Sequence, residues 1–575
     1  MQQKTNQLSG PWILTAAGAE ELQERARELG RRLDQASDSE LGAISSALIA
    51  EVTPQVHRAV LLGGSRDDLR RNLDDLVAGR RSAGLISGEA CDPARVAFAF
   101  PPLRAEFEGM VTDLLAVSDA FRKQMHECEQ ALAPFADWCL DDVLHGRPGA
   151  PHLNRLDVCQ HALFATCVSL ARLWEEFGVR PEAVLGHSLG EVSAAAISGA
   201  LSLEEAARVI NSLSSAAMRF ENQGEMGSIA LPANKLEERL VPWRGRLWIS
   251  AFNGPGSTSV SGRKEAIKEL LSTLAAEGVA GRPMGIPAPG HSPAMAVVHQ
   301  WFAEELPSIT PQPGSIPFYS GVVGRKVDQT GLDALYWSSS LSMRVYFEQA
   351  LRALLADGCN VLVEISPRRV LGKVLLETCA DADAAAIVVG TLDQTDRGYP
   401  LRALAELFVA GVDIAWEAIY GEEAPIPIEF WPGQRNGHTL ATLLAGAPEI
   451  EREAVVLELV RSETARTAEL DSAVAIDPDR PFKDLGFDSP KAVDLRNRLI
   501  EATGLDLSTT VAFDYPTPRE VTRKLLLELA ADDRPMIEPV EPSPGKEAIR
   551  AIDDLDLAGL MELSRRQRDE LEEVR

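Results

Sequence analysis

The spacing of apolar residues divides the chain into segments with different predicted secondary structure. Residues 1–93 contain amphipathic helical runs, such as AEELQERARELGRRLDQ, beside the short apolar strand HRAVLLGG, which predicts a small α+β adaptor domain. From ARVAFAFPP (94–102) onward, buried-strand runs alternate with helical runs such as HALFATCVSLARLWEEFG (161–178) and EVSAAAISGA (191–200). This alternation favours a parallel α/β sheet within a domain spanning residues 94–420.

A different order of elements interrupts the α/β pattern over residues 226–286. The apolar periodicity there predicts strand MGSIALP, helix NKLEERLV, strands LWISAFNG and STSVSG, helix KEAIKELLSTLAAEG and strand VAGRPMGI. This β-α-β-β-α-β order is that of the ferredoxin-like unit, and we expect it as an inserted subdomain.

Residues 421–575 are predicted to form three smaller segments. Residues 421–450 are rich in proline, glycine and polar residues and indicate a linker, and residues 451–530 predict a compact helical unit. Residues 531–575 combine a proline-rich tether with an amphipathic charged helix over 557–575, in which we expect a docking element. The alternative for this helix is a frayed terminus.

Composition narrows the classes of function. A length of 575 residues implies several domains, and a formal net charge of −28 argues against nucleic-acid or anionic-membrane partners. No apolar run is long enough to cross a membrane, the N-terminus does not look like a signal peptide, and the seven scattered cysteines fit a reducing cytoplasm. No histidine or cysteine spacing predicts a metal site.

One short motif carries candidate chemistry. LGHSLGE places Ser188 in a G-x-S-x-G frame between a predicted strand and a predicted helix, where a nucleophilic serine is exposed at a sharp turn. The alternative is a glycine-bounded helix start without chemistry. The base that such a serine needs is better supplied by His291, in the loop that returns from the inserted subdomain, than by His187, which adjoins Ser188 around a tight turn. Without further evidence, a lone loop histidine is more often a surface residue without a catalytic role.

Several motifs occur together and in an informative order. GHSLGE, the return-loop GHS, AFNGPGSTSVSG, VLVEISP and the later LGFDS resemble, over nearly the whole chain, an acyltransferase followed by an acyl carrier protein of a modular polyketide synthase. The resemblance implies an α/β hydrolase-like acyltransferase, preceded by an α+β linker domain and followed by an all-α helical-bundle carrier.

The resemblance also implies roles for individual residues. Ser188 would accept the acyl group and His291 would act as its general base. A backbone carbonyl orients the histidine in this family, and Ser340, in YWSSSL, stands at the residue that supplies it. Leu189 and Leu103 would donate the oxyanion-hole N–H groups.

Two departures from the family pattern bear on activity and selectivity. FPPLRAEF replaces the usual F-P-G-Q-G-x-Q, so Leu103 stands at the glutamine and Pro102 and Arg104 stand at the glycines. Leu103 keeps its backbone N–H, but the flexible glycine turn is gone, and losing one oxyanion donor typically slows catalysis about 100- to 1000-fold. Leu213 stands where dicarboxylate-selective members carry an arginine, although Arg219 or Arg344 could compensate.

The residues before the histidine bear on pocket size. The segment Ala288, Pro289 and Gly290 occupies the position that reads the size of the acyl group, and the small Ala288 suggests room for a starter larger than acetyl.

A second serine matches the carrier-protein signature. Ser489, in DLGFDSPKAVDLRNRL, stands at the phosphopantetheine attachment site and opens a predicted helix with Pro490 in its first turn. The alternative is a capped helix without a modification.

Together these observations predict a starter-unit loading didomain. It would take an acyl group from acyl-CoA onto Ser188, pass it to 4'-phosphopantetheine on Ser489, and deliver it to a downstream condensing subunit after activation by a phosphopantetheinyl transferase. One alternative is a degenerate acyltransferase whose carrier is loaded by a separate enzyme; a weaker one is a hydrolase.

Overall fold

The computed structural model describes residues 10–420, except 64, 83, 92, 104–109, 300–301, 303–305, 307–308 and 393–398, and scattered residues between 456 and 532. The described residues form two compact units that divide near residue 434. The strands, in chain order, are β1 (Trp12–Ala16), β2 (His57–Leu61), β3 (Leu85–Glu89), β4 (Val96–Phe100), β5 (Ala183–Gly186), β6 (Glu225–Ile229), β7 (Leu247–Gly254), β8 (Ser257–Gly262), β9 (Gly281–Pro283), β10 (Phe318–Ser320), β11 (Arg325–Val327), β12 (Val345–Tyr346), β13 (Val361–Glu364) and β14 (Ile387–Gly390).

The helices cover the faces of the sheets. They are Ala19–Gln35, Leu41–Ala50, Arg66–Ala78, Met110–Val117, Asp119–Leu132, Leu140–Leu144, Leu156–Glu176, Gly190–Ser198, Leu203–Arg219, Ala233–Arg239, Lys264–Ala276, Ala334–Ser342, Phe347–Ala356, Gly372–Asp381, Tyr399–Val409, Trp416–Tyr420 and Pro518–Asp532. None of the described helices is both long and apolar enough to cross a bilayer.

A small antiparallel sheet in the order β1-β2-β3 opens the first unit. Its first helix runs over Ala19–Gln35, as the sequence predicts, and buries Leu22, Ala26 and Leu29, which recur at helical spacing. The helix over Arg66–Ala78 begins at a Ser65 cap and ends where Gly79 adopts a left-handed conformation.

The main sheet of the first unit has six strands in the order β11-β10-β5-β4-β13-β14. All neighbouring pairs are parallel except β10 with the edge strand β11. β4 and β5, the central pair, are buried throughout, which explains their nearly continuous apolar sequence. The carboxyl ends of these two strands therefore meet at one edge of the sheet.

A second sheet carries the segment between residues 225 and 283. Its order is β12-β7-β8-β6-β9, with helices Ala233–Arg239 and Lys264–Ala276 in the connections, so the predicted order of elements is present. Alternate residues of this sheet, including Ile229 and Val260, pack in one apolar cluster with residues of both helices. The short β12 joins β7 in parallel and links this sheet to the segment that follows it.

The second unit has its own apolar core. Val456, Val460, Phe482, Leu495, Leu499, Val511, Val521 and Leu525 are buried together. The helix Pro518–Asp532 supplies the last two of these residues. Ser489 and the proposed docking helix over 557–575 lie outside the described residues.

Candidate active site

Ser188 occupies a sharp turn between β5 and the helix Gly190–Ser198. Its φ of 54° is left-handed, a conformation that non-glycine residues adopt mainly where the surroundings impose it. A Cβ at Gly186 would lie 2.5 Å from the Cα of Glu191, and a Cβ at Gly190 would lie 2.4 Å from the carbonyl oxygen of Phe100. Both glycines of the motif are therefore required by close backbone packing.

His291 completes a hydrogen-bonded series with Ser188. Its Nε2 lies 2.6 Å from the Ser188 Oγ, and its Nδ1 lies 3.1 Å from the carbonyl oxygen of Met343. Because a carbonyl can only accept, Nδ1 carries the proton and Nε2 is free to accept one from the serine hydroxyl. This is the geometry that a nucleophile, a base and an orienting group require.

The backbone holds the histidine in this position. His291 has a φ of 55°, and its own N–H donates to the carbonyl of Leu341 at 2.8 Å. Burial lowers the pKa of His291, and hydrogen bonds to the carbonyls of Met343 and Ser340 partly offset this effect. The resemblance implies that Ser340 supplies the orienting carbonyl, whereas the nearest carbonyl to His291 Nδ1 is that of Met343, just after helix Ala334–Ser342; the Ser340 carbonyl contributes beside it.

His187 faces away from the nucleophile, as the tight turn predicts. Its Nε2 lies 2.9 Å from Asn253 Oδ1, and its ring packs 4.8 Å from that of Phe347. Burial lowers the pKa of His187 to about 4, so the ring is neutral at physiological pH. His187 therefore connects the turn to strand β7.

Glu191 is a functional candidate that the sequence analysis missed. It is fully buried beneath the turn, accepts hydrogen bonds from the Ser320 hydroxyl at 3.0 Å and the Val322 N–H at 2.8 Å, and also accepts one from the Tyr336 hydroxyl. Burial raises the pKa of Glu191 to about 7. The position of Glu191 in the GHSLGE motif could have marked it as a functional residue. An acidic residue in the first turn of a helix, however, ordinarily faces solvent.

A cavity of about 180 Å³ opens beside Ser188 and His291. Among the described residues it is lined by Pro102, Leu103, Leu156, Gln160, His187, Ser188, Leu189, Leu213, Ala217, Met226, Ser228, Ala251, Asn253, Ser257, Ser259, Arg282, Met284, Ile286, Ala288, Gly290, His291, Met295, Ser340, Leu341, Val370, Leu371 and Val374. Apolar side chains predominate, with a few polar groups, as in sites for small organic ligands.

Most of the predicted site residues meet at this cavity. Leu103 and Leu189, the predicted oxyanion donors, both line it, as do the predicted pocket residues Leu213, Ala288, Gly290 and Ser340. Pro289 does not line the described part of the cavity; its carbonyl accepts a hydrogen bond from Ser292.

Neither proposed substitute for the missing arginine lines the described cavity. Arg219 is exposed at the end of helix Leu203–Arg219. Arg344 stacks over the Phe252 ring at 4.7 Å and donates to the Ile249 carbonyl at 3.2 Å. Among the described lining residues, the basic side chain is that of Arg282, which lies on the exposed edge strand β9. The described residues contain no group of side chains that could hold a metal ion.

Comparisons with known proteins agree with this geometry. A family model described as "Acyl transferase domain" matches residues 98–414, more than half of the chain. The chain belongs to this acyl transferase domain family. A second model, described as "Phosphopantetheine attachment site", matches residues 454–525, which contain Ser489.

Curated relatives of this acyltransferase are polyketide synthases. The chain is 37% identical over 525 residues to "Spectinabilin polyketide synthase system protein NorC" of Streptomyces orinoci, covering 85% of the chain and 23% of that protein. It is 36% identical over 436 residues to "Erythronolide synthase EryA2" of Saccharopolyspora erythraea, covering 75% of the chain and 12% of that protein. The chain thus spans less than a quarter of the length of either relative.

Solved structures support the fold. The acyltransferase domain from module 8 of the salinomycin polyketide synthase is 36% identical with a TM-score of 0.66, covering 71% of this chain and 97% of that one. A loading acyltransferase from the avermectin modular polyketide synthase is 42% identical with a TM-score of 0.52, covering 54% of this chain and 99% of that one. The protein is therefore an acyltransferase joined to a carrier domain that bears covalent 4'-phosphopantetheine.

Proposed function

We propose that this acyltransferase loads a starter acyl group from acyl-CoA through an acyl-Ser188 intermediate onto the phosphopantetheine of Ser489. The observation that carries the proposal is the hydrogen-bonded series from Ser188 through His291 to the Met343 carbonyl, placed at a largely apolar cavity. A phosphopantetheine arm supplies a flexible thiol that can enter this cavity.

The geometry supports a two-step transfer. His291 Nε2 takes the proton of the Ser188 hydroxyl as its oxygen attacks the thioester carbonyl, and then gives that proton to the departing coenzyme A thiolate. Met343 stabilises the imidazolium through its carbonyl. In the second step His291 takes the proton of the acceptor thiol and returns it to the Ser188 oxygen when the ester breaks.

The N–H groups of Leu189 and Leu103 are our proposed oxyanion hole. Leu189 stands at the N-terminus of helix Gly190–Ser198, where backbone N–H groups and the helix dipole favour negative charge. Leu103 follows the end of β4, which pairs with β5 and thereby brings the two segments to one edge of the sheet. Both residues line the cavity.

We propose that the acyl group is a monocarboxylate. Leu213 and Ala288 are buried cavity residues, so a second carboxylate beside them would lose its hydration without gaining a paired cation. The similarity to the avermectin loading acyltransferase is consistent with a starter-loading role. Monocarboxylic acyl-CoAs should therefore acylate Ser188 faster than malonyl-CoA.

A substitution tests this selectivity. Leu213→Arg should raise the rate with malonyl-CoA relative to a monocarboxylic acyl-CoA, because the guanidinium can pair with the second carboxylate. Leu213→Met is the matched control, since it keeps an apolar side chain of similar volume. Preferential labelling of the unmodified chain by malonyl-CoA would contradict the proposal.

A burst experiment tests the acyl-serine step itself. In a Ser489→Ala chain, addition of acyl-CoA should release about one coenzyme A per chain in a fast phase, because the acyl group stops on Ser188. The same chain with Ser188→Ala should show no burst. A burst of equal size in both chains would exclude Ser188 as the acceptor.

A degenerate acyltransferase is the second candidate. Pro102 and Arg104 stand where the family has glycines, so the flexible turn that would aim the Leu103 N–H is lost. An oxyanion donor misplaced by this change would slow acylation about 100- to 1000-fold. The carrier would then be loaded by another enzyme. Failure of every tested acyl-CoA to acylate Ser188 would favour this candidate.

The remaining parts of the proposal concern architecture and partners. We infer a ferredoxin-like subdomain from the order β7-β8-β6-β9 with helices between these strands, and an all-α bundle for the carrier. A phosphopantetheinyl transferase would modify Ser489, and a condensing subunit would receive the acyl group, in the cytoplasm.

The predicted helix over 557–575 is our proposed docking element for that subunit. Deletion of residues 545–575 should leave self-loading intact and slow transfer to the downstream protein. Equal transfer rates before and after deletion would contradict a docking role.

A further inference from the structure

The sheet that contains β6 to β9 presents a row of polar residues to the cavity. Ser228 is paired with Ser259 on one side and with Arg282 on the other, and Ser259 is paired in turn with Ala251. Directly paired residues of an antiparallel sheet point to the same face. Because all four line the cavity, this face is the cavity wall.

The row begins beside the catalytic serine. The Asn253 Nδ2 donates a hydrogen bond to the Ser259 hydroxyl at 2.9 Å. The Asn253 Oδ1 lies 2.9 Å from Nε2 of His187, the neighbour of Ser188. Amide and hydroxyl groups therefore follow one another from the nucleophile toward the sheet edge.

The row ends at the positively charged side chain of Arg282, on the exposed edge of the sheet. Arg282 lies on β9, the edge strand, and is exposed, whereas Leu213 and Ala288 are buried. Three strand spacings of ~4.8 Å separate Ala251 on β7 from Arg282, a span of about 14 Å. No ion pair joins Arg282 to another residue in the part of the chain that the structure describes.

This order of groups matches the chemistry of one ligand. A phosphopantetheine arm carries a thiol at one end, then amide groups and a hydroxyl, then a phosphate. The arm would place its thioester at Ser188, its amides along Asn253 and Ser228, and its phosphate at the exposed arginine. A cation at the mouth is poorly placed to pair with an acyl carboxylate beside buried Leu213.

We propose that Arg282 binds the phosphate of the phosphopantetheine arm and that Ser228 and Ser259 lie along the path of its amides. The proposal rests on the proposed function, because it assumes that a phosphopantetheine thioester reaches Ser188. The same phosphate occurs in acyl-CoA and in the arm on the carrier, so the experiment separates these two sources.

Binding of the acyl-CoA phosphate is tested with three thioesters of the same acyl group: acyl-CoA, acyl-phosphopantetheine and acyl-pantetheine. In the Ser489→Ala chain, Arg282→Gln should lower the second-order rate constant of Ser188 acylation about tenfold for acyl-CoA and for acyl-phosphopantetheine, because a charge-assisted hydrogen bond is lost. The loss should come mainly from a higher thioester concentration at half of the maximal burst rate. The rate with acyl-pantetheine, which has no phosphate, should not change. Arg282→Lys should restore part of the loss.

Binding of the phosphate on the carrier's phosphopantetheine is tested in the second step, the transfer of the acyl group from Ser188 to the carrier. Transfer from acyl-Ser188 of the Ser489→Ala chain to the phosphopantetheine of a holo Ser188→Ala chain should slow when the donor chain carries Arg282→Gln, while transfer to free pantetheine should not. Arg263→Gln is the matched control, since Arg263 is an exposed arginine of the same subdomain outside the described cavity lining. A loss confined to the donor step would assign Arg282 to coenzyme A alone and overturn its role toward the carrier arm.

Equilibrium binding separates this inference from the proposed function. Calorimetry should show about tenfold weaker binding of coenzyme A to Arg282→Gln than to the unmodified chain, whether or not Ser188 is acylated. Equal losses with all three thioesters, or unchanged coenzyme A binding, would overturn the role of Arg282. Failure of Ser188 to acylate, with coenzyme A binding still dependent on Arg282, would instead contradict the proposed function.

Discussion

At the scale of single residues, the protonation of His291 governs the proposed first step. Burial lowers the pKa of His291, so the neutral form that accepts the Ser188 proton persists below the ordinary histidine range. The rate of Ser188 acylation should therefore fall on the acid side with a midpoint below about pH 6.5. Burst kinetics between pH 5 and pH 8 in the Ser489→Ala chain measure this midpoint.

Replacing the base should remove both the rate and its pH dependence. His291→Gln should slow acylation about 100- to 10,000-fold and abolish the acid limb. His299→Gln is the control, because His299 is another half-buried histidine, hydrogen-bonded to Ser338 and Ser342 and absent from the described cavity lining. An acid limb that survives in His291→Gln would show that another group is the base.

Glu191 gives a prediction for stability. Burial raises its pKa to about 7 in the folded state, so the folded protein holds a proton that the unfolded chain releases near pH 4.5. Stability should therefore fall as the pH rises from about 4.5 to 7, by as much as about 3 kcal/mol. Glu191→Gln, which stays neutral, should flatten this part of the profile in chemical denaturation. An unchanged slope would contradict the buried protonated carboxyl.

At the scale of elements, the turn that carries Ser188 depends on its glycines. A Cβ at Gly190 would lie 2.4 Å from the Phe100 carbonyl oxygen, so Gly190→Ala must push the helix away from β4. We expect a loss of about 2 kcal/mol or more in stability and a large loss of acylation. Gly256→Ala is the control, because its added Cβ meets nothing within 4 Å. Thermal denaturation and burst kinetics compare the two; equal behaviour would contradict the packing argument.

The elements also show what sequence could predict. β7 and β8 begin and end where their apolar alternation does. Ser188 and His291, predicted as partners from their place in strand, turn and return loop, lie within hydrogen-bond distance of each other. The Met343 carbonyl and the buried Glu191 were not found, because a backbone acceptor leaves no mark in a sequence and an acidic residue suggests solvent. The helix predicted over 161–178 begins earlier, at Leu156, since the preceding turn is also buried.

At the scale of the whole molecule, one buried arginine joins the first sheet to the end of the acyltransferase segment. Arg58 on β2 donates to the carbonyl of Phe408 at 2.8 Å and stacks over its ring at 4.9 Å. Arg58→Ala should lower stability by about 2–4 kcal/mol, because it leaves a buried acceptor unpaired. The exposed Arg71→Ala is the control. Denaturation measures both, and equal stability of the two variants would contradict this connection.

The central claim is that the acyl group reaches the carrier through Ser188. Intact-protein mass spectrometry of the holo chain, incubated with a monocarboxylic acyl-CoA and followed by peptide mapping, tests it most directly. We predict one acyl group on the phosphopantetheine of Ser489 in the unmodified chain and none, over the same time, in Ser188→Ala. Loading of Ser489 at an equal rate in Ser188→Ala would contradict the account.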